Sequence, residues 1–217
     1  MITKHSCRIT LALLACAGAF LCAPAGYAQT ASYQISLNTA ALMGNSAGPF
    51  SLDFQLTDGS GLGDGNNIAT LSNFSFGGGG APFGSANLSG NVTGSLATGV
   101  SLTDSTFFNE FYQSFAAGST LSFQLTLTTS PDAGGTPDAF SLAILDQNLA
   151  NITTTSPGDT LLFVNIDGPN PVIETGSGRG SFAGVTVTSV PEPTSLALLA
   201  LGLGALLARA RKSSPGV

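Results

Sequence analysis

Between residues 29 and 190 the chain contains no cysteine, no histidine, no lysine and no tryptophan. Cys7, Cys16, Cys22 and His5 all fall in the first 22 residues. Without them this region has no disulfide, no thiol chemistry and no cysteine or histidine metal site. A serine nucleophile would find no histidine or lysine to activate it. Basic charge is almost as scarce. Arg179 is the one base in this region, against 11 of the chain's 12 acids, a balance of −10. Nothing here can neutralise a phosphate backbone, so nucleic acid is excluded as a partner. Tyr33 and Tyr112 are its only amphipathic aromatics, few for a sugar-stacking platform.

Both ends of the chain differ from this middle. Lys4 and Arg8 precede an apolar run from Ile9 to Cys22, and Gly26-Tyr27-Ala28 supplies small residues at the first and third places of a cleavage site. That order is a secretory signal peptide over residues 1–28, with cleavage between Ala28 and Gln29. Leu13-Leu14-Ala15-Cys16 offers a competing lipoprotein box at Cys16, but it would leave a very short apolar region. At the other end, residues 190–217 hold Pro191-Glu192-Pro193, an uncharged apolar stretch from Leu196 to Ala208, and the basic end Arg209, Arg211 and Lys212. A helix over about 195–208 measures roughly 20 Å at ~1.5 Å per residue, short of a hydrocarbon core of about 30 Å. Snorkelling of the basic side chains and local thinning bring it across. The positive charges then hold the C-terminus in the cytoplasm.

These three elements, in this order and at this end, resemble a PEP-CTERM sorting signal, the tail recognised by exosortase-type membrane proteases of Gram-negative bacteria that secrete exopolysaccharide. The resemblance implies cleavage near Pro191-Glu192-Pro193, transient insertion in the inner membrane, and delivery to the cell surface or extracellular matrix, with exopolysaccharide as a possible partner. The logic parallels a GPI signal, whose hydrophobic tail is removed.

Residues 29–189 are long enough for one domain with its own core. Alternation with a period of two dominates. Phe50, Leu52, Phe54 and Leu56 share one strand face, as do Leu121, Phe123, Leu125 and Leu127. Less regular runs occur at 33–37, 68–76, 86–93, 96–102, 140–145, 161–167 and 182–188, separated by Gly, Pro, Asn and Asp. The expected fold is all-β, an antiparallel β-sandwich of jelly-roll type, flanked by the signal peptide and the single C-terminal helix. In 106–116, Phe107, Phe111 and Phe115 suit a helix face, but a strand fits better, with the phenylalanines in the core. Ala116-Ala117-Gly118-Ser119 then reads as a hairpin turn.

The segment Asp58 to Asn67 is the best candidate for chemistry. A glycine-rich loop lets oxygen ligands converge on calcium, and Asp58, Asp64 and Asn66 are the candidate ligands. The spacing matches neither an EF-hand nor an RTX repeat. The competing reading is a turn in which Asp and Asn cap their own backbone while Gly supplies positive φ. Leu52-Asp53-Phe54-Gln55, this loop, Leu71-Ser72-Asn73-Phe74, Asp138-Ala139-Phe140-Ser141 and Ile144-Leu145-Asp146 also resemble an uncharacterised family of PEP-CTERM cargo domains, a resemblance that implies no activity. Thr126-Leu127-Thr128 and Thr186-Val187-Thr188 have the alternation of ice-binding threonine ladders, but no regular repeat aligns them, and β-propensity accounts for them. The expected function is a secreted, non-catalytic structural or adhesive protein of the surface or matrix. The alternative is a calcium-assisted carbohydrate-binding module.

Overall fold

The structure is a computed structural model. It describes residues 29–61, 63–131, 135–166, 168, 170–177, 183–191, 198 and 201–204. The signal peptide with Ala28, the sorting residues Glu192 and Pro193, and the basic end Arg209, Arg211 and Lys212 lie outside the described residues.

Thirteen strands are described: β1 (Thr30–Asn38), β2 (Phe50–Thr57), β3 (Ile68–Ser75), β4 (Ala81–Pro82), β5 (Asn87–Ser89), β6 (Val92–Ser95), β7 (Gly99–Thr103), β8 (Phe108–Ala116), β9 (Thr120–Thr128), β10 (Asp138–Leu145), β11 (Leu162–Ile166), β12 (Val172–Thr175) and β13 (Ala183–Val190). They form two antiparallel sheets. One has six strands in the order β13-β1-β9-β3-β7-β6, and the other runs β12-β11-β10-β2-β8-β4, with β5 also paired to β8. The apolar residues of both sheets join in one core. The reason is the period-two pattern: in β9 every second residue from Leu121 to Leu127 is fully buried, and in β2 the same holds for Leu52, Phe54 and Leu56. Phe54 stands at the centre, its ring 5.5 Å from that of Phe123 and 6.1 Å from that of Phe74 across the core, and 5.8 Å from that of Phe111 beside it.

In β3, Ala69 and Leu71 point inward, yet so do Phe74 and, just past the strand, Phe76, which breaks the alternation. The break is a register shift between Ser72 and Ser75, where Asn73 takes a left-handed φ of 56°. Asn tolerates that conformation better than other non-glycine residues, and the bulge returns Phe74 to the core.

Three expectations need correction. The run 86–93 is two strands in different sheets, β5 against β8 and β6 against β7. Gly90 between them has φ +74°, and a Cβ there would lie 2.5 Å from the Phe108 carbonyl oxygen, so glycine permits the crossing. Residues 116–119 are no hairpin turn, because β8 and β9 belong to opposite sheets. This connection closes the rim instead: Thr39 Oγ1 donates to the Gly118 carbonyl at 2.8 Å, and a Cβ on Gly118 would lie 2.0 Å from the Phe76 carbonyl oxygen. Finally, 108–116 is a strand, with Phe111 and Phe115 buried, but Phe107 is 60% exposed and outside the core. Two polar residues take inward positions in β8. Gln113 accepts from the Leu96 N–H and donates to the Gly84 carbonyl, while Asn109 accepts from the Asn91 N–H and donates to the Leu56 carbonyl. Each ties a crossing segment to the sheet, satisfying the buried amide as it does so.

Residues 198 and 201–204 are helical, and Leu198, Leu201 and Leu203 are exposed rather than buried in the core. Among the described residues, no helix is long and apolar enough to cross a membrane.

Candidate functional site

The loop after β2 is held by its own first residue. Asp58 Oδ1 accepts hydrogen bonds from Ser60 Oγ at 2.7 Å and from the Gly61 N–H at 2.8 Å, and Oδ2 accepts from the Gly63 N–H. Burial opposes ionisation of Asp58, but these donors outweigh it and hold the carboxyl below the ordinary aspartate value. Gly61, Gly63 and Gly65 all have positive φ, which lets the chain curl round that carboxylate. Asp64 faces solvent and accepts from the backbone and side-chain N–H groups of Asn66, at 3.2 and 2.8 Å. The three calcium candidates therefore face different ways: Asp58 turns into the loop, Asp64 faces solvent, and Asn66 gives Asp64 its amide N–H while its Oδ1 is buried. Among the described residues, no three His, Cys, Asp or Glu converge to hold a metal ion. EDTA is expected to leave the melting temperature within a degree of its untreated value; a fall of several degrees would show a bound cation.

What the loop meets is a buried acid pair that sequence reasoning did not single out. Asn67, fully buried, donates its backbone N–H to Asp104 Oδ2 at 3.0 Å and its side-chain N–H to Asp138 Oδ2 at 2.8 Å. Asp138 Oδ1 accepts from the Gly59 N–H at 2.8 Å. A Cβ on Gly59 would lie 2.1 Å from the Thr136 carbonyl oxygen, so only glycine allows this approach. Asp104 is also fully buried, and its Oδ1 has no hydrogen-bond donor. Burial, followed by the Asp138 carboxyl beside it, pushes Asp104 up to about 8. Both causes favour a proton held by the pair, which spares the site two adjacent buried charges. Asp104 directly follows β7 and Asp138 begins β10, and no local pattern links them. Their only sequence signal was position, each an acid at a strand end.

A second acid pair lies on the outward face of the seven-stranded sheet. Gln55 Nε2 bridges Asp53 Oδ2 at 2.7 Å and Glu110 Oε1 at 3.2 Å. Asp53 is 3% exposed, and burial, then the Glu110 charge, push it up to about 7, partly offset by the Gln55 amide. A glycosidase needs two carboxylates flanking an open cleft. Asp53, however, is shut off from solvent and clamped by the amide.

Gln29 and Val190, the first described residue and the last residue of β13, lie toward the pole formed by the Asp58–Asn67 loop. The Gln29 carbonyl accepts from the backbone N–H and the Oγ1 of Thr129, at 2.7 and 3.0 Å. Ser32 of β1 pairs with Val190, the last residue of β13. The described domain therefore begins and ends on neighbouring strands, with exposed Pro191 directly after the sheet. The fold and its exit define the class: an all-β antiparallel domain whose last strand runs without a spacer into the C-terminal tail. The particular tail is a PEP-CTERM protein-sorting motif, whose family model matches residues 189–212. The motif implies exosortase-dependent sorting of a secreted protein, with export to the cell surface or extracellular space. No curated protein matches the chain.

Proposed function

We propose that the protein is a structural or adhesive component of the cell surface or exopolysaccharide matrix. Its two sheets act as a non-catalytic β-sandwich of jelly-roll type. The C-terminal helix is a temporary inner-membrane anchor, and an exosortase-type protease removes it near Pro191-Glu192-Pro193. The observation that carries this reading is the match to the sorting motif over residues 189–212, beginning in the last two residues of β13. Cleavage just beyond Val190 would leave every described strand intact, so trimming and folding are compatible. The non-catalytic part is supported by the absence of histidine and lysine between residues 29 and 190 and by the occlusion of Asp53.

Intact-mass and terminal-peptide mass spectrometry on protein from the native host tests the processing. The expected product begins at Gln29 and ends close to Pro191. A product that still ends at Val217 would overturn the reading.

A further inference from the structure

The six strands of the smaller sheet contain no charged residue at all, in a chain with 12 acids. The other sheet carries Asp53, Glu110, Asp138 and Glu174. The outward face of the uncharged sheet is built almost wholly of hydroxyls and amides. Strand register places Val190, Ser32, Thr126, Thr70, Ser101 and Thr93 in one row across all six strands. The next row holds Thr188, Gln34 and Gln124, and the one after it Thr186, Ser36 and Ser122. None of these residues is buried. The threonines of the two Thr-x-Thr segments, unaligned in the sequence, fall on this one face.

We propose that this face binds a neutral, hydroxyl-rich polysaccharide, an assignment that rests on the reading of the protein as a matrix component. Its groups repeat about every 4.8 Å between strands and about 6.7 Å along them. A regular polymer can meet such a grid many times. The hydroxyls of Thr70, Ser101, Thr186 and Thr188 make no hydrogen bond within the protein among the described residues, so each is free to donate to and accept from a sugar hydroxyl. At one end of the face lies a concavity of about 460 Å³ lined by Ser36, Asn38, Ser119, Thr120, Gly184 and Thr186, within the size range of ligand sites. Charge selects the partner. Among the described residues a polyanion meets no base on this face, and the acidic remainder of the protein repels it, while a polycation finds its carboxylates on the other sheet and at the pole. An uncharged polymer loses no counter-charge on this surface. Each neutral hydrogen bond contributes only about 0.5–1.5 kcal/mol net, so binding depends on many contacts along one chain, and short oligosaccharides bind weakly. This mode does not need the aromatic platform that the composition lacks.

The test is co-sedimentation of the exported protein with microcrystalline cellulose and with curdlan, two insoluble neutral glucans, and with calcium-free alginate beads cross-linked covalently as the anionic control. At least one neutral glucan is expected to remove most of the protein from solution, and alginate almost none. Thr126→Glu and Thr188→Glu should each cut the bound fraction at least fivefold, while Glu110→Gln on the opposite sheet leaves it unchanged. A thermal melt confirms that each variant is folded; if Thr126→Glu is not, Ser36→Glu beside the concavity replaces it. The assignment is overturned if neither glucan binds, if folded face variants bind as well as the parent, if sedimentation reflects self-association without glucan, or if the face inhibits ice recrystallisation but retains no glucan. Correctly trimmed protein that binds neither glucan overturns this assignment alone. Untrimmed protein overturns the sorting reading, whatever it binds.

Discussion

Phe54→Ala lowers stability by about 3–5 kcal/mol, the usual cost of removing a large buried aromatic side chain. Phe54 is fully buried in a central strand, and its ring is 6.3 Å or less from those of Phe74, Phe111, Phe123 and Phe140. Two of these partners belong to each sheet, so the truncation opens a void where the layers meet, and the strands around it are too regular to collapse into it. A loss of that size corresponds to a fall in melting temperature of roughly 10 °C for a domain of this length. Phe107→Ala is the matched control. At 60% exposure it is expected to change stability by no more than about 0.5 kcal/mol. Thermal melts of the two variants check the pair. Equal shifts would mean that Phe54 does not join the two layers.

The second large effect is a dependence on pH opposite to ordinary acid denaturation. Asp104 and Asp53 have folded values of about 8 and about 7, against an ordinary 3.8. Between those limits the folded state binds more protons than the unfolded one. Stability from these groups is therefore complete below about pH 4 and is lost as pH rises through 7 and 8. Asp58, held below its ordinary value by its loop, acts in the other direction and loses its contribution as pH falls below the ordinary aspartate range. The melting temperature is expected to be highest near pH 5 and lower at pH 9 by at least about 4 °C, which corresponds to 1–2 kcal/mol. Asp104→Asn sharpens the test. The amide can still accept from the Asn67 N–H and donate to Asp138, as the protonated acid does, but it cannot ionise. The variant should lose a large part of the difference between pH 5 and pH 9. A variant as pH-sensitive as the parent would show that Asp104 is ionised throughout.

The long strands were legible because their chemistry is local. In β2 and β9 the alternation Phe-x-Leu-x-Phe-x-Leu and Leu-x-Phe-x-Leu-x-Leu is enough to define an inward and an outward face. The Asp58–Asn67 turn was legible for the same reason, since the capping carboxylate and the glycines it needs lie within a few residues of one another. Sequence reasoning failed where an element's partner is remote. The stretch 86–93 looks continuous, and only the close approach of Gly90 to Phe108 divides it between two sheets. The turn at 116–119 has ordinary hairpin residues, but the core lies between β8 and β9, so their connection has to cross from one layer to the other.

The sequence by itself determined the sorting tail, the β class, and the lack of any cysteine or histidine between residues 29 and 190. Those follow from composition and short-range order, which need no fold to be read. Only the tertiary structure decided that Asp104 and Asp138 share one buried site around Asn67, that the first and last described strands are neighbours, and that scattered threonines and serines make one uncharged face. Each depends on strand register, which sets as neighbours residues as remote in sequence as Ser32 and Val190, and register is fixed by which apolar faces close on a common core.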